Sequence, residues 1–264
     1  MKVFSIFSLC AVLFLFAGCD KNEIKYGETE EVSSDQALLK INYASLYANN
    51  RLVVLKINDV RVSNPIAGRT PFPGGGYNTF GSSTPDFLAV NAGDVKLSVS
   101  LPFSVDNGLD SVELYSTTLK LAARQYYTAH ITDTAANVKT LLMQEDVSRP
   151  DTSSARYRVV NLMPNVPAID LYYGSSATSV TQDSLIAGNV PYLQSTGDIV
   201  LKSGLGRTWK IRPAGAAVTN ATVLANYTSA STFLERRIYT IFALGYNGQT
   251  AAPRRPYVSF FRIR

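Results

Sequence analysis

Ala37-Leu-Leu-Lys-Ile-Asn-Tyr-Ala-Ser45 and Ala155-Arg-Tyr-Arg-Val-Val-Asn-Leu-Met163 read as two versions of one opening strand of alternating character. Further along, Tyr126-Tyr-Thr-Ala-His-Ile131 is answered by Ile238-Tyr-Thr-Ile-Phe-Ala243. Between these blocks, Phe87-Leu-Ala-Val-Asn-Ala-Gly-Asp-Val-Lys-Leu97 is matched to Tyr192-Leu-Gln-Ser-Thr-Gly-Asp-Ile-Val-Leu201, with Gly93-Asp94 and Gly197-Asp198 at the corresponding turn. Blocks recurring in the same order mark an internal repeat, in units of about 110 residues.

Each unit carries short strand-like runs at the spacing of a β-sandwich. Leu52 to Asn58 and Lys96 to Leu101 belong to the first unit. Ala168 to Tyr173, Asp198 to Lys202, Thr208 to Arg212, Ile238 to Leu244 and Pro256 to Ile263 belong to the second. The 15 Tyr and 12 Phe, with many Val, Ile and Thr, suit a pleated surface, where β-branched and aromatic side chains pack well. The expectation is an all-β protein with two tandem β-sandwich domains, Ig-like or transthyretin-like, over residues 37–147 and 155–264. The join between them contains Ser148, Pro150, Asp151, Ser153 and Ser154; it is polar and short, so the units should touch.

The chain opens with Lys2, an apolar run from Val3 to Phe16, then Ala17, Gly18, Cys19 and Asp20. A single cation, a greasy core too short to span hydrocarbon and small residues make a secretory leader. Small residues directly before a cysteine make it a lipoprotein leader. The expectation is removal of residues 1–18 and lipidation of Cys19, with residues 19–36 as a polar, acidic tether of about 50 Å if extended. Acidic residues soon after the cysteine resemble a surface-export signal, so the protein is expected on the outer membrane, lipid-anchored, at the cell surface or the periplasmic face. The chain finishes inside a strand, Tyr257 to Arg264, leaving Cys19 as the expected membrane attachment.

Composition narrows the chemistry. The formal charge is +5, from 25 Lys and Arg against 20 Asp and Glu, and the cations are scattered. No nucleic-acid partner is expected of an exported protein with so mild an excess. Both cysteines, Cys10 and Cys19, fall in the leader region, and His130 is the one histidine, so neither a disulfide, a metal centre nor a cofactor is expected. A serine triad would have to use His130, and no GxSxG elbow is present.

Thr70-Pro-Phe-Pro-Gly-Gly-Gly-Tyr-Asn-Thr-Phe-Gly-Ser-Ser-Thr-Pro85 is the most unusual segment. Phe72, Tyr77 and Phe80 on this loop could stack on a sugar ring; alternatively they tuck over a sandwich edge. Trp209 is a further candidate ligand-stacking residue, although alternation puts it with Ile211 on one face and Lys210 with Arg212 on the other, as core packing would. His130 reads as a partly buried packing residue whose repeat counterpart is Phe242. Asp106, Asp110, Asp133, Asp170 and Asp198 could supply the carboxylate pair of a glycosidase, but most stand near turns, where Asp caps backbone.

The opening of the second unit, Ala155-Arg-Tyr-Arg-Val-Val-Asn-Leu-Met-Pro-Asn165 followed by Pro167-Ala-Ile-Asp-Leu-Tyr172, resembles domain-of-unknown-function family 4397. The likeness extends more loosely to the first unit, over residues 37 to 264 in all, although Ala37 to Ser45 lacks the proline turn. It implies exported β-sandwich modules, often tandem in Bacteroidota lipoproteins, and supplies no catalytic residues. The expected function is therefore a non-catalytic, lipid-anchored binding or adhesion module for a glycan or a partner protein. The alternatives are a structural spacer of an envelope complex and a glycan-processing hydrolase.

Overall fold

The sequence folds into strands wherever β-branched and aromatic residues recur at every second position. In the computed structural model the described residues are 32–45, 51–68, 70–73, 86–202, 208–229 and 232–264. The leader, Cys19 and most of the tether lie outside them, as do Tyr77 and Phe80.

The first half contains β1 (Gln36–Tyr43), β2 (Val54–Ile57), β3 (Val60–Arg61), β4 (Thr70–Phe72), β5 (Leu88–Asn91), β6 (Gly93–Pro102), β7 (Asp110–Leu121), β8 (Tyr126–Thr132) and β9 (Lys139–Glu145). The second contains β10 (Ser154–Asn161), β11 (Ala168–Gly174), β12 (Ser184–Pro191), β13 (Ile199–Lys202), β14 (Thr208–Pro213), β15 (Ala225–Thr228), β16 (Ile238–Leu244) and β17 (Tyr257–Arg262). Each half is a sandwich. One sheet of the first half runs β4-β1-β8-β9, with β5 also on β1, and the other runs β3-β2-β6-β7. In the second half the orders are β13-β10-β16-β17 and β12-β11-β14-β15.

The repeat is visible in individual hydrogen bonds. The opening strands pair in parallel with the late ones, Ile41 opposite Ala129 and Val159 opposite Ile241. The Tyr127 hydroxyl accepts from the Ala122 N–H, and the Tyr239 hydroxyl accepts from the Leu234 N–H, both at 3.1 Å. Such a tyrosine corner pins a strand to the turn before it. Arg124 and Arg236 both sit in left-handed backbone, and their N–H groups donate to Gln36 and Ser154, the first residues of β1 and β10. The middle block does not align in the structure as its sequence suggests. Gly93-Asp94 opens β6, whereas Gly197-Asp198 precedes β13. The equivalent strands are β5 and β13, which both run antiparallel on the opening strand, Asn91 opposite Gln36 and Lys202 opposite Ser154.

Alternation sends one row of each strand into a sandwich core and the other row elsewhere. Leu39, Ile41, Tyr127, Ala129 and Ile131 face the first core, and Tyr157, Val159, Tyr239, Ile241 and Phe260 face the second. The other rows of β9, β10, β16 and β17 supply Met143, Val160, Phe242, Leu244 and Phe261, which with Ala44, Leu162, Ile238 and Ile263 form a third buried cluster. The sheets built on β1 and β10 therefore stack on each other, and Ser34–Arg264 is one compact unit. The Lys40, Asn42, Thr128 and His130 row, polar enough to resemble a solvent face, is buried in this middle layer.

Candidate functional site

The middle layer holds a polar seam. The equivalent residues Thr128 and Thr240 both donate to Oε1 of Glu145, at 2.7 and 3.3 Å. One carboxyl group is thus shared by the two halves. Burial pushes its pKa up, against the Thr128 hydrogen bond and the charges of Arg158 and Lys40. Lys40 lies 4.2 Å from the centre of the Phe87 ring and donates to the carbonyl of Arg262 at 3.2 Å. Burial lowers its pKa to about 8.

Deeper in the seam, the Asn42 amide nitrogen is 3.0 Å from His130 Nδ1, and the imidazole packs against Phe242 and Phe261. His130 is wholly buried, beyond the partial burial expected of it, and burial pushes its pKa down to about 3. Between pH 6.5 and 3 the unfolded chain takes up a proton that the folded imidazole refuses. The stability held by neutral His130 is therefore complete above pH 6.5 and is lost as pH falls, by about 3 kcal/mol at pH 4. Glu145 works in the opposite direction, so the measurement is a comparison. Urea unfolding of wild type and His130→Phe from pH 7 to pH 4 should show the acid loss reduced in the variant; equal slopes would remove the assignment.

The seam opens at one end into a cleft of about 440 Å³ lined by Arg124, Gln125, Tyr126, Gln144, Glu145, Asp146, Val147 and Arg158. The turn before β8, the end of β9 and the strand β10 place these residues together. Tyr126 is half-buried and meets Phe87 edge-on at 5.0 Å. Gln144 Nε2 donates to Gln125 Oε1 at 2.8 Å. The acids at the rim are committed: Asp146 accepts from the Ser148 N–H and hydroxyl and from Arg156 Nη1, and Asp198 accepts from Arg158 Nε. The arrangement offers an aromatic ring, planar amides and guanidinium groups to a ligand. A second, smaller cavity of about 180 Å³ is lined by Thr134, Asn165, Tyr246, Gln249 and Arg254.

The described sequence-derived candidates, Phe72 and Trp209, do not line the cleft, and Tyr77 and Phe80 lie outside the described residues. Phe72 sits in β4 opposite Ile41, half-buried against the first core. Trp209 is fully buried, its indole N–H donating to Thr232 Oγ1 at 2.9 Å and its ring set among Tyr157, Tyr173 and Phe260. It presents no face to a ligand, and core packing is the role its position supports. The five aspartates are dispersed. Asp106 pairs with Arg61, Asp110 with Lys56 and Asp198 with Arg158, Asp170 caps the Asn189 and Gly215 N–H groups, and Asp133 caps Thr134. Among the described residues no group of three His, Cys, Asp or Glu is placed to hold a metal, and no helix is long and apolar enough to cross a membrane.

On the outer face of the β11–β14 sheet, Asp183 accepts from Lys210 Nζ at 2.8 Å and from Arg212 Nη2 at 2.7 Å, all three side chains being buried.

Comparison with known proteins places a family match on residues 45–172, to the model described as Domain of unknown function (DUF4397). The match runs from the end of β1 to β11, so it bears out the family resemblance, over a shorter span than the sequence suggested. No curated protein matches the chain. Among solved structures, the chain is similar to that described as "Alpha-glucan binding by a streptococcal virulence factor", with 12% identity, 84% of this chain and 96% of that chain covered, and a TM-score of 0.25. It is also similar to a leucine-rich repeat protein from Bacteroides thetaiotaomicron, with 12% identity, 82% and 26% covered and a TM-score of 0.20. A third similarity is to a putative adhesin from Bacteroides ovatus, with 10% identity, 86% and 94% covered and a TM-score of 0.19.

Proposed function

We propose, for a chain whose residues 45–172 match the DUF4397 family, a non-catalytic binding module that takes a glycan in the cleft between its two halves. The observation that carries this reading is the cleft lining: the Tyr126 ring beside the Gln125 and Gln144 amides and the Arg124 and Arg158 guanidinium groups. Sugar rings have apolar faces that stack on aromatic rings and hydroxyl rims that suit planar, bidentate hydrogen-bonding groups. The lipoprotein leader supports attachment through a lipidated Cys19 to the outer membrane, facing the cell surface or the periplasm. Mass spectrometry of the mature amino terminus tests the anchor, and an unmodified Cys19 would remove it.

Binding is tested by retention of the full chain on immobilised polysaccharides, with release of reducing sugar followed in parallel. Saturable retention without turnover is the expected result, and Tyr126→Ala should weaken it about tenfold through loss of ring stacking. Retention that Tyr126→Ala leaves unchanged would take the cleft out of the function. A second reading, a glycan-processing hydrolase, is favoured by one observation: Glu145 lies in the cleft with its pKa raised, as a general acid's would be. Against it, the neighbouring Asp146 is tied to Arg156 and Ser148. Turnover abolished by Glu145→Gln would establish that reading.

A further inference from the structure

The acids and bases around the cleft do not balance. Asp146 uses Oδ1 for the Ser148 N–H and Oδ2 for Arg156 and the Ser148 hydroxyl. Asp198 accepts from Arg158 and lies 3.6 Å from Arg156 Nε. Glu145 is buried beneath the Thr128 and Thr240 hydroxyls, where burial favours its neutral form. Arg124 is exposed at the turn before β8, and among the described residues its guanidinium has no hydrogen bond or ion pair. Arg158 spends Nε on Asp198 and Nη1 on the Gln144 carbonyl, and its Nη2 has no partner among the described residues. The first half thus contributes Arg124, with no acid answering it among the described residues, beside Arg158 of the second half, which keeps a free Nη2 although Asp198 already pairs with its Nε.

Arg124 also occupies left-handed backbone, φ 61°, where a side chain carries a conformational cost that glycine would avoid. Arg236 has the same backbone at the equivalent turn, so this conformation belongs to the repeated turn and not to the cleft.

We infer that the cleft's ligand is an acidic glycan bearing sugar carboxylates, with Arg124 and Arg158 as its cation contacts. A guanidinium matches a carboxylate in a bidentate fork, and the pairing strengthens in a partly enclosed site. Gln125 Nε2 and Gln144 Oε1, the ends not used in the hydrogen bond between these two amides, remain for the hydroxyls, and Tyr126 for an apolar ring face. This inference rests on the cleft being the ligand site.

The test uses the full chain on an array carrying polygalacturonate, hyaluronan and sialylated oligosaccharides beside neutral dextran, laminarin and xylan, with polyglutamate as an acidic polymer without sugar. Arg124→Gln removes the charge from an exposed position and keeps amide donors. Arg236→Gln makes the same change at the equivalent turn of the second half, away from the cleft lining. The expected result is selective retention of the carboxylated glycans, weakened at least tenfold by Arg124→Gln and by raising salt from about 50 to 500 mM, as screened charge pairs require. Arg236→Gln should leave retention unchanged. Neutral glycans retained as well as acidic ones, without an effect of Arg124→Gln, would overturn the charge assignment while sparing the cleft. Preference for polyglutamate would overturn it in favour of a protein partner. Retention of none of the glycans would remove the glycan reading and this inference together.

Discussion

Asp183→Ala is expected to destabilise the protein by about 3–5 kcal/mol, the cost of leaving buried cations without their counter-charge. Asp183 is the shared partner of Lys210 and Arg212, whose side chains have no exposure. Lys210 keeps only the Ser179 carbonyl, and Arg212 keeps the Tyr172 ring, 4.4 Å from its guanidinium carbon. Arg212 Nε and Nη1 already have no hydrogen-bond partner among the described residues. Asp170, opposite Arg212 on β11, is occupied by two backbone N–H groups. The site is also tight, since a Cβ added at Gly174 would collide with Asp183 Oδ1. Urea unfolding should show a large fall in midpoint with an unchanged slope. Adding Lys210→Met and Arg212→Met to Asp183→Ala should recover much of the loss, because the cost lies in stranded charge more than in missing contacts. A single variant within 1 kcal/mol of wild type would show that solvent reaches the cluster.

The second large effect is expected of Trp209→Ala, again about 3–5 kcal/mol, as for other buried large-to-small aromatic changes. Trp209 lies with its ring centre 4.3 Å from that of Tyr173, 5.1 Å from Tyr157 and 5.5 Å from Phe260, spanning the two sheets of the second half. The truncation leaves a cavity between sheets too rigid to close over it. Trp209→Phe should cost roughly half as much, and neither substitution should change affinity for a ligand held in the cleft. Thermal unfolding followed by circular dichroism measures the first statement. A Trp209→Phe protein that folds fully but binds its ligand tenfold more weakly would return Trp209 to the candidate ligand contacts.

Most of the fold was legible because the repeat and the two-residue period act locally. Tyr157 with Val159, and Tyr239 with Ile241, identify core rows with no knowledge of the partner strand. Six strands, β3, β4, β7, β9, β12 and β15, left weaker marks. In β7, Ser116-Thr117-Thr118 interrupts the apolar alternation, and in β12 Gly188 and Asn189 do so at a register shift. The middle repeat block was misaligned because a Gly-Asp pair serves turns of any sheet and fixes no register.

The cleft was not legible. It exists because the turn before β8 and the end of β9 come to lie beside β10 from the other half, and neither period nor composition encodes that meeting. One signal was available once the strands were paired: Glu145 sits opposite Tyr126 where the other half sets Ile263 beside Ile238, an acid in a row that is apolar in its twin. The aromatic loop is distinctive in composition alone. Its one described ring, Phe72, is in the wall of the first sandwich.

The meeting of Thr128 and Thr240 on a single carboxyl oxygen has a genetic consequence. Two copies of a module that face each other through the same strands are a homodimer written into one reading frame. In a true homodimer every substitution on that face occurs twice, so an acid or an imidazole introduced there would confront its own image. Fusion lifts that constraint: a histidine can settle against a phenylalanine, and one glutamate can serve two threonines, because each half is free to diverge from its twin.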